Sequence, residues 1–155
     1  MTIKVKKVLF ANTMVLLLTI FDQYTKARMT EIKNITFTDY FSFTYAENTG
    51  IAFGIPVPLY LLILLTILLI AAFLYFSIKE LNINSYLTLT AVSLVVAGGV
   101  GNFLDRVLYG YVIDFIRIWN YPTFNFADII ILVGVLMIIA FYGRMKGTKI
   151  KNKDD

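Results

Sequence analysis

The sequence predicts an all-α membrane protein with four transmembrane helices and a small β-rich extracytoplasmic segment between the first two helices. Of its 155 residues, 59% are hydrophobic, and the mean hydropathy is +0.76. Soluble domains contain roughly 45–50% apolar residues, so this composition favours a protein dissolved in lipid. Four apolar stretches approach the roughly 20 helical residues that cross a bilayer. We therefore expect a single membrane domain over residues 1–155, with spans near residues 8–24, 59–78, 86–104 and 126–142.

The first apolar stretch, residues 8–24, follows several lysines and therefore also resembles the start of a secretory signal peptide. No small-residue cleavage site follows it, and Asp22 and Lys26 lie where cleavage would fall. The pattern thus favours a retained transmembrane helix. Asp22 and Lys26 are four residues apart, so they share a helical face and are predicted to form a supporting ion pair.

The segment between the first two helices, residues 27–58, has a strand-like pattern. Aromatic or β-branched residues alternate with polar ones over residues 35–38 and 41–45, which is typical of strands with one buried face. We expect a small sheet on the membrane surface. Residues 105–125 are predicted to form a loop at headgroup depth, where amphipathic aromatic rings are favoured. Its aromatic residues are Tyr109, Tyr111, Trp119 and Tyr121.

The distribution of basic residues predicts that both termini are cytoplasmic. With four spans, one side of the membrane receives most of the Lys and Arg residues, which marks the cytoplasmic side. These residues are Lys4, Lys6, Lys7, Lys79, Arg144, Lys146, Lys149, Lys151 and Lys153. The basic tail is therefore interpreted as a topology signal, and no nucleic-acid partner is expected.

The absence of histidine and cysteine limits the possible chemistry. Without either residue, the chain has no Ser-His or Cys-His catalytic pair and none of the usual zinc ligand sets. No cofactor and no metal site are predicted. Acid–base chemistry in this chain falls to Asp, Glu, Lys or Tyr.

The end of the third predicted helix combines small and polar residues. Ala97 and Gly101 form a small-xxx-small pair that lets another helix approach closely. Asn102, Asp105 and Arg106 are three or four residues apart and share one helical face. A packing patch followed by an interfacial charge pair explains the glycine but leaves Asn102 unexplained, so a functional site here stays an open alternative.

Two further acids are candidates for catalysis. Asp114 lies within the apolar residues 112–116, where no partner for it is evident. Asp128 follows Asn125 by three residues, a spacing that also fits a helix cap. If the intervening loop brings the two acids together, they share a proton, because two adjacent carboxylates in a dry site cannot both ionise. The ionised acid can then deprotonate water while the protonated one donates to a carbonyl oxygen.

Five sequence blocks together resemble the lipoprotein signal peptidase (signal peptidase II) family. They are residues 22–26 (DQYTK), 48–54 (NTGIAFG), 98–106 (GGVGNFLDR), 112–115 (VIDF) and 124–128 (FNFAD). They follow the family's order, and the four predicted spans agree with it. The resemblance implies an aspartyl endopeptidase, a multi-pass protein of the bacterial cytoplasmic (inner) membrane with its active site near the extracytoplasmic face. It would remove signal peptides from diacylglyceryl-modified prolipoproteins by cutting just before the lipidated cysteine.

The resemblance also implies roles for individual residues. The catalytic pair corresponds to Asp114 and Asp128. The supporting residues correspond to Asp22, Lys26 and Asp105, and the substrate-contacting residues to Asn48, Gly50, Asn102, Arg106 and Asn125. Gly50 and Gly54 would let their loop approach the substrate backbone. The implied partners are lipid-modified prolipoproteins and membrane lipid, and the protein is expected to act as a monomer.

Two other classes of protein fit parts of the sequence. A presenilin-type aspartyl protease has Gly-x-Gly-Asp at its second acid, whereas residues 99–102 here read Gly-Val-Gly-Asn. A four-helix proton-coupled transporter of small molecules needs an acid at mid-membrane depth. In this sequence, the acids near predicted helices lie at their outer ends, which favours the protease.

Overall fold

A computed structural model describes residues 3–50 and 57–147 of the chain. Within them, four helices and three strands occur, and helix α3 packs against the other three helices. The elements are α1 (Ile3–Ile32), β1 (Asn34–Thr38), β2 (Phe41–Asn48), α2 (Leu59–Glu80), α3 (Tyr86–Tyr109), β3 (Val112–Ile118) and α4 (Phe126–Met145). Gly54 and the tail residues Lys149, Lys151 and Lys153, used in the predictions above, lie outside the described residues.

Three of the described helices, α2, α3 and α4, are long and apolar enough to cross a membrane. Their outward surfaces are rich in large apolar side chains, which would be costly to hydrate in water. Exposed examples are Leu64, Leu68, Leu69, Leu132, Leu136 and Ile139. The structure therefore supports a mostly helical membrane fold with three candidate spans. The predicted first span, residues 8–24, lies within α1, which is not among the three.

Helix α1 is longer than the predicted first span. Its 30 residues extend about 45 Å at 1.5 Å per residue, because residues 25–32 contain no glycine or proline to stop it. The helix ends where Lys33 adopts a left-handed backbone conformation (φ 66°) and its N–H bonds the Met29 carbonyl at 3.0 Å. The first residues of the predicted β-rich segment are therefore helical.

The predicted sheet between the first two helices is present, but it has a third strand. Strands β1 and β2 pair antiparallel over the alternating segments, and β2 pairs antiparallel with β3. The prediction of a loop over residues 105–125 was therefore wrong at β3, and the description of the chain as all-α is incomplete. Residues 112–115 are all buried, so the strand shows no alternation of exposed and buried residues that the sequence could reveal.

Two tight turns, one before β3 and one after it, bring the start of α4 back beside β3. Gly110 ends α3 in the left-handed conformation (φ 84°), and its N–H bonds the Arg106 carbonyl at 3.1 Å, as glycine does at many helix ends. After β3, Trp119 has a positive φ of 49°, and Phe124 exchanges backbone hydrogen bonds with Ile116 at 2.7 and 3.1 Å. The start of α4 is thereby fixed beside β3.

Glycine lets α4 pack closely on α3. A Cβ atom on Gly134 would lie 2.7 Å from the Ala91 carbonyl oxygen and 2.7 Å from Val95. Such a contact cannot be relieved by moving one flexible side chain, because the nearest group is backbone. By contrast, a Cβ atom on Gly143, in the last turns of the same helix, would have no neighbour within 4 Å.

We predict that Gly134→Ala destabilises the protein by about 1–3 kcal/mol, since overpacking outweighs the gain in helix propensity. The matched variant Gly143→Ala should be neutral or slightly stabilising. Thermal unfolding of both variants in detergent checks this. Equal midpoints for the two variants would show that α3 and α4 are not held in this close contact.

Candidate active site

The structure brings Asp114 and Asp128 to one cavity. Asp114 lies on β3 and Asp128 in the first turn of α4, and both line a cavity of about 660 Å³. Four of the five predicted substrate-contacting residues line the same cavity, namely Asn48, Gly50, Asn102 and Arg106. The fifth, Asn125, is fully buried and lies between the two acids in the hydrogen-bond network. Residues from β2, α3, β3 and α4 thus converge on one site.

Asp114 has two amide partners that its sequence neighbours did not reveal. Its Cα pairs with that of Ala46 on β2, so Asn48, two residues further along β2, lies diagonally across on the same face. Asn48 Nδ2 donates to Asp114 Oδ2 at 3.0 Å, and Asn125 Nδ2 donates to Asp114 Oδ1 at 2.7 Å. The carboxyl is only 2% exposed and therefore depends on these amides for its hydrogen bonds.

The burial of Asp114 changes its acidity. Removal from water raises the pKa of the Asp114 carboxyl to about 6, because burial penalises the charged form. The hydrogen bond from Asn48 lowers this pKa, the nearby charge of Asp128 raises it, and the hydrogen bond from Asn125 lowers it. Asp114 can therefore hold a proton at a pH where an ordinary aspartate is ionised.

Asp128 lies in the cap of α4, as the spacing from Asn125 predicted. Asn125 Oδ1 accepts from the Asp128 backbone N–H at 3.0 Å, and Asp128 Oδ2 accepts from the Asn125 N–H at 3.1 Å. Asn102 Nδ2 donates to the other oxygen, Oδ1, at 2.9 Å. The helix N-terminus and two donors, the Asn125 N–H and Asn102 Nδ2, thus surround this half-buried carboxyl.

Two buried amides connect the acids. Asn125 Nδ2 donates both to Asp114 Oδ1 and to Asn102 Oδ1, the latter at 3.0 Å. Asn102 then donates to Asp128. Since each amide has a donor and an acceptor end, the pair fixes both carboxyls relative to each other. Asn102, which helix packing alone left unexplained, thus lies in the hydrogen-bond network between the two acids.

A buried ionic cluster lies next to Asn102. Lys26 Nζ is 2.8 Å from Asp22 Oδ2 and 3.0 Å from Asp105 Oδ2, and the three side chains are 0–1% exposed. The predicted ion pair of Asp22 and Lys26 is confirmed, and Asp105 joins it. Lys26 Nζ also donates to Asn102 Oδ1 at 3.0 Å, so the cluster contacts the amide network directly.

Gln23 is a residue of this region that the sequence reasoning missed. Its Nε2 donates to Asp105 Oδ1 at 2.7 Å and to the Gly101 carbonyl at 3.2 Å. The available signal was a polar amide directly after Asp22 in an otherwise apolar helix. That signal does not identify Asp105 and Gly101 as its partners, because both lie on α3, far away in the sequence.

Arg106 joins the site to a second cavity. This apolar cavity of about 340 Å³ lies between α2 and α3, and Arg106 and Asn102 line both cavities. Arg106 Nε is buried and has no hydrogen-bond partner among the described residues, so it is available to a ligand.

Gly50 N donates to Asn48 Oδ1 at 3.1 Å, which orients the Asn48 amide so that its nitrogen points to Asp114.

The arrangement is suited to acid–base chemistry between two carboxyls. One acid holds a proton readily and the other is surrounded by donors, so their roles can differ although their chemistry is the same. Among residues 3–50 and 57–147, no group of three or more His, Cys, Asp or Glu side chains is placed to hold a metal ion. The cavity offers space for a chain segment between the acids and Arg106.

Comparisons of the sequence with known proteins indicate one family. Residues 14–143 match the family described as "Signal peptidase (SPase) II". The lipoprotein signal peptidase of Clostridium novyi (strain NT) is 41% identical over 109 residues, covering 66% of this chain and 73% of its own. That of Pelodictyon phaeoclathratiforme (strain DSM 5477 / BU-1) is 36% identical over 156 residues, covering 88% and 91%. A bacterial membrane enzyme solved by the in meso method is similar in fold, with a TM-score of 0.75 at 31% identity, covering 94% of this chain and 93% of that one.

The raised pKa of Asp114 predicts how Asp114→Asn changes stability with pH. A raised pKa in the folded state means that stability is greatest below about pH 4 and is lost as the pH rises through about 6. The asparagine cannot ionise but loses one hydrogen bond, which costs about 1 kcal/mol. We expect the variant to be less stable than the wild type at pH 4 and more stable at pH 8, a relative change of up to about 3 kcal/mol.

Thermal unfolding at pH 4, 6 and 8 measures this crossover. Asp39→Asn, at an exposed carboxyl in the β1–β2 turn, serves as the control and should show no crossover. A constant difference between Asp114→Asn and the wild type at all three pH values would contradict the raised pKa.

Proposed function

The chain belongs to the signal peptidase II family, and we propose that it cleaves its substrate with an aspartate dyad, Asp114 and Asp128. It is a membrane protease that removes signal peptides from bacterial prolipoproteins. The observation that carries the aspartic mechanism is that both carboxyls line one cavity and are joined through Asn125 and Asn102. The transporter alternative has no support in these comparisons.

We assign the roles of the two acids from their different surroundings. Asp114 is the more buried carboxyl and serves as the acid, whereas Asp128 serves as the base. Asp128 takes a proton from a water molecule as the water oxygen attacks the scissile carbonyl, and Asp114 donates its proton to the carbonyl oxygen. When the tetrahedral intermediate collapses, the proton on Asp128 moves to the departing amide nitrogen, the C–N bond breaks, and Asp114 recovers its proton from the hydroxyl.

The surrounding polar residues divide into two groups. Asn48, Gly50, Asn102 and Arg106 line the cavity, so they are placed to contact a peptide. Asn125 was expected to do the same, but its side chain is fully buried and both ends of its amide are already bonded. We assign Asn125 to orienting the two carboxyls.

The two adjoining cavities fit a lipid-modified precursor. The apolar cavity between α2 and α3 suits a hydrophobic signal segment or acyl chains, since apolar surfaces are buried there without loss of hydrogen bonds. Arg106 Nε, at the junction of the cavities, can donate to an ester or peptide carbonyl. We therefore propose a diacylglyceryl-modified prolipoprotein as the substrate, cut just before the lipidated cysteine.

The proposed topology has four spans, with α1 as the first and both termini in the cytoplasm. Residues 1–155 then form one membrane domain. The dyad lies near the extracytoplasmic face, because it is built from the C-terminal end of α3, the start of α4 and the sheet. Exposed Trp119 and Tyr121 lie on the same side, which suits headgroup depth in a lipid bilayer. We propose that the protein acts as a monomer, since both acids of the dyad come from the same chain and line the same cavity.

Asp114→Asn and Asp128→Asn should each reduce the rate of cleavage about 10²–10⁴-fold, which is the usual contribution of a general acid or base. The measurement is cleavage of a diacylglyceryl-modified prolipoprotein by purified protein in detergent, and Asp39→Asn, away from the cavity, should cleave normally. Near-normal activity in either dyad variant would remove that acid from the mechanism. A wild-type protein that leaves a lipidated precursor intact would contradict the proposed substrate.

The pH profile tests which acid holds the proton. Because Asp114 must be protonated to donate, kcat/KM should fall as the pH rises through about 6. The fall in kcat should occur at higher pH, since bound substrate excludes water and raises the pKa of the carboxyl further. If kcat/KM instead rises through pH 6, Asp114 acts in its ionised form and the two roles are exchanged.

A further inference from the structure

We propose that Asp22, Lys26 and Asp105 form a clamp that sets the relative positions of the two catalytic carboxyls. The proposal rests on the assignment of Asp114 and Asp128 as the dyad. It gives the buried ionic cluster a positioning role in catalysis, in addition to the support that it gives the fold. The clamp acts on the backbone directly before each aspartate.

Each acid of the clamp holds one of these backbone positions. Asp105 Oδ2 accepts from the Ile113 N–H at 3.0 Å, and Ile113 directly precedes Asp114. Asp22 Oδ1 accepts from the Ala127 N–H at 2.9 Å, and Ala127 directly precedes Asp128. The two contacts are equivalent in kind, although one acid comes from α3 and the other from α1.

Lys26 ties the two acids together. Its ammonium has three N–H donors, and three acceptors surround it: Asp22 Oδ2 at 2.8 Å, Asp105 Oδ2 at 3.0 Å and Asn102 Oδ1 at 3.0 Å. The third acceptor belongs to the amide that donates to Asp128. All the donors are therefore used, and the ammonium cannot turn without breaking a charge-assisted bond in a water-free environment.

Two neighbours complete the clamp. Gln23 Nε2 donates to Asp105 Oδ1 at 2.7 Å, so both oxygens of this acid are held. Gly101 leaves room for Asp22, since a Cβ atom there would lie 2.5 Å from Asp22 Oδ2. The close approach predicted from the small residues of α3 is thus made by a charged group of α1.

A contribution to the stability of the fold does not by itself explain why these three charged side chains are buried. A buried ion pair often contributes no more than apolar side chains of the same volume, because removing charges from water is costly. Here two acids share one ammonium at 0–1% exposure. Positioning is a stronger reason, since a displacement of about 1 Å in a catalytic site can reduce the rate roughly 10²-fold.

Asp105→Ala and Asp105→Asn test the clamp as a pair. Asparagine keeps an oxygen that can accept from the Ile113 N–H, whereas alanine leaves that N–H without its partner. In the purified full chain in detergent, we expect Asp105→Ala to lower kcat roughly 10²-fold with KM changed less than about twofold. Asp105→Asn should recover at least about a tenth of the wild-type kcat, since the hydrogen bond is retained.

Gly101→Ala provides a second test that changes no charged residue. The added methyl group displaces Asp22 from Ala127, while alanine itself favours the helix. Gly101→Ala should also lower kcat with little change in KM. If Asp105→Ala does not fold, the result for Gly101→Ala tests the clamp alone. Arg28→Met is the matched control, because it removes an exposed ion pair with Glu31 from the same helix as Lys26. Its kcat should equal that of the wild type.

Wild-type kcat in folded Asp105→Ala or in Gly101→Ala would overturn the clamp. A loss of kcat in Gly101→Ala that matches a loss of folded protein in thermal unfolding would also overturn it, since the cluster would then be structural only. A wrong dyad assignment would be detected by a different result, because Asp114→Asn or Asp128→Asn would then still cleave the substrate.

Discussion

The buried ammonium of Lys26 is the interaction on which the rest of the site depends. It joins α1 to α3 through Asp22, Asp105 and Asn102, and the two acids extend this connection to the backbone of β3 and α4. In a poorly hydrated interior, a charge is stable only with close, well-oriented partners. The requirement to satisfy one cation therefore constrains four separate elements of the fold at once.

The proposed catalytic pair illustrates how surroundings make two identical side chains different. Asp114 lies on a buried strand, where loss of water raises the pKa of its carboxyl to about 6. Asp128 lies at the N-terminal, positive end of α4, and its two oxygens accept one hydrogen bond each, from the Asn125 N–H and from Asn102 Nδ2. The proposed mechanism needs this asymmetry, because one carboxyl must give a proton while the other accepts one.

The fold places this polar network at one end of a largely apolar helix assembly. The helices present leucine and isoleucine side chains outward, while the buried charges lie where α3 ends and α4 begins. Such a division agrees with the proposed position of the dyad near the extracytoplasmic face. The sheet supplies Asp114 from β3 and Asn48 from β2 to this network.

The sequence by itself determined the features that depend on local pattern: the apolar helices, the β1–β2 hairpin, the Asn125–Asp128 cap and the Asp22–Lys26 pair. The absence of histidine and cysteine also directed attention to Asp114 and Asp128. Only the tertiary structure decided that residues 112–118 form a strand, that Asn48 and Asn125 are the partners of Asp114, and that Gln23 and Asp105 join Lys26. These contacts link residues far apart in the chain, and a hydrogen bond between distant segments leaves no periodic signal in either one.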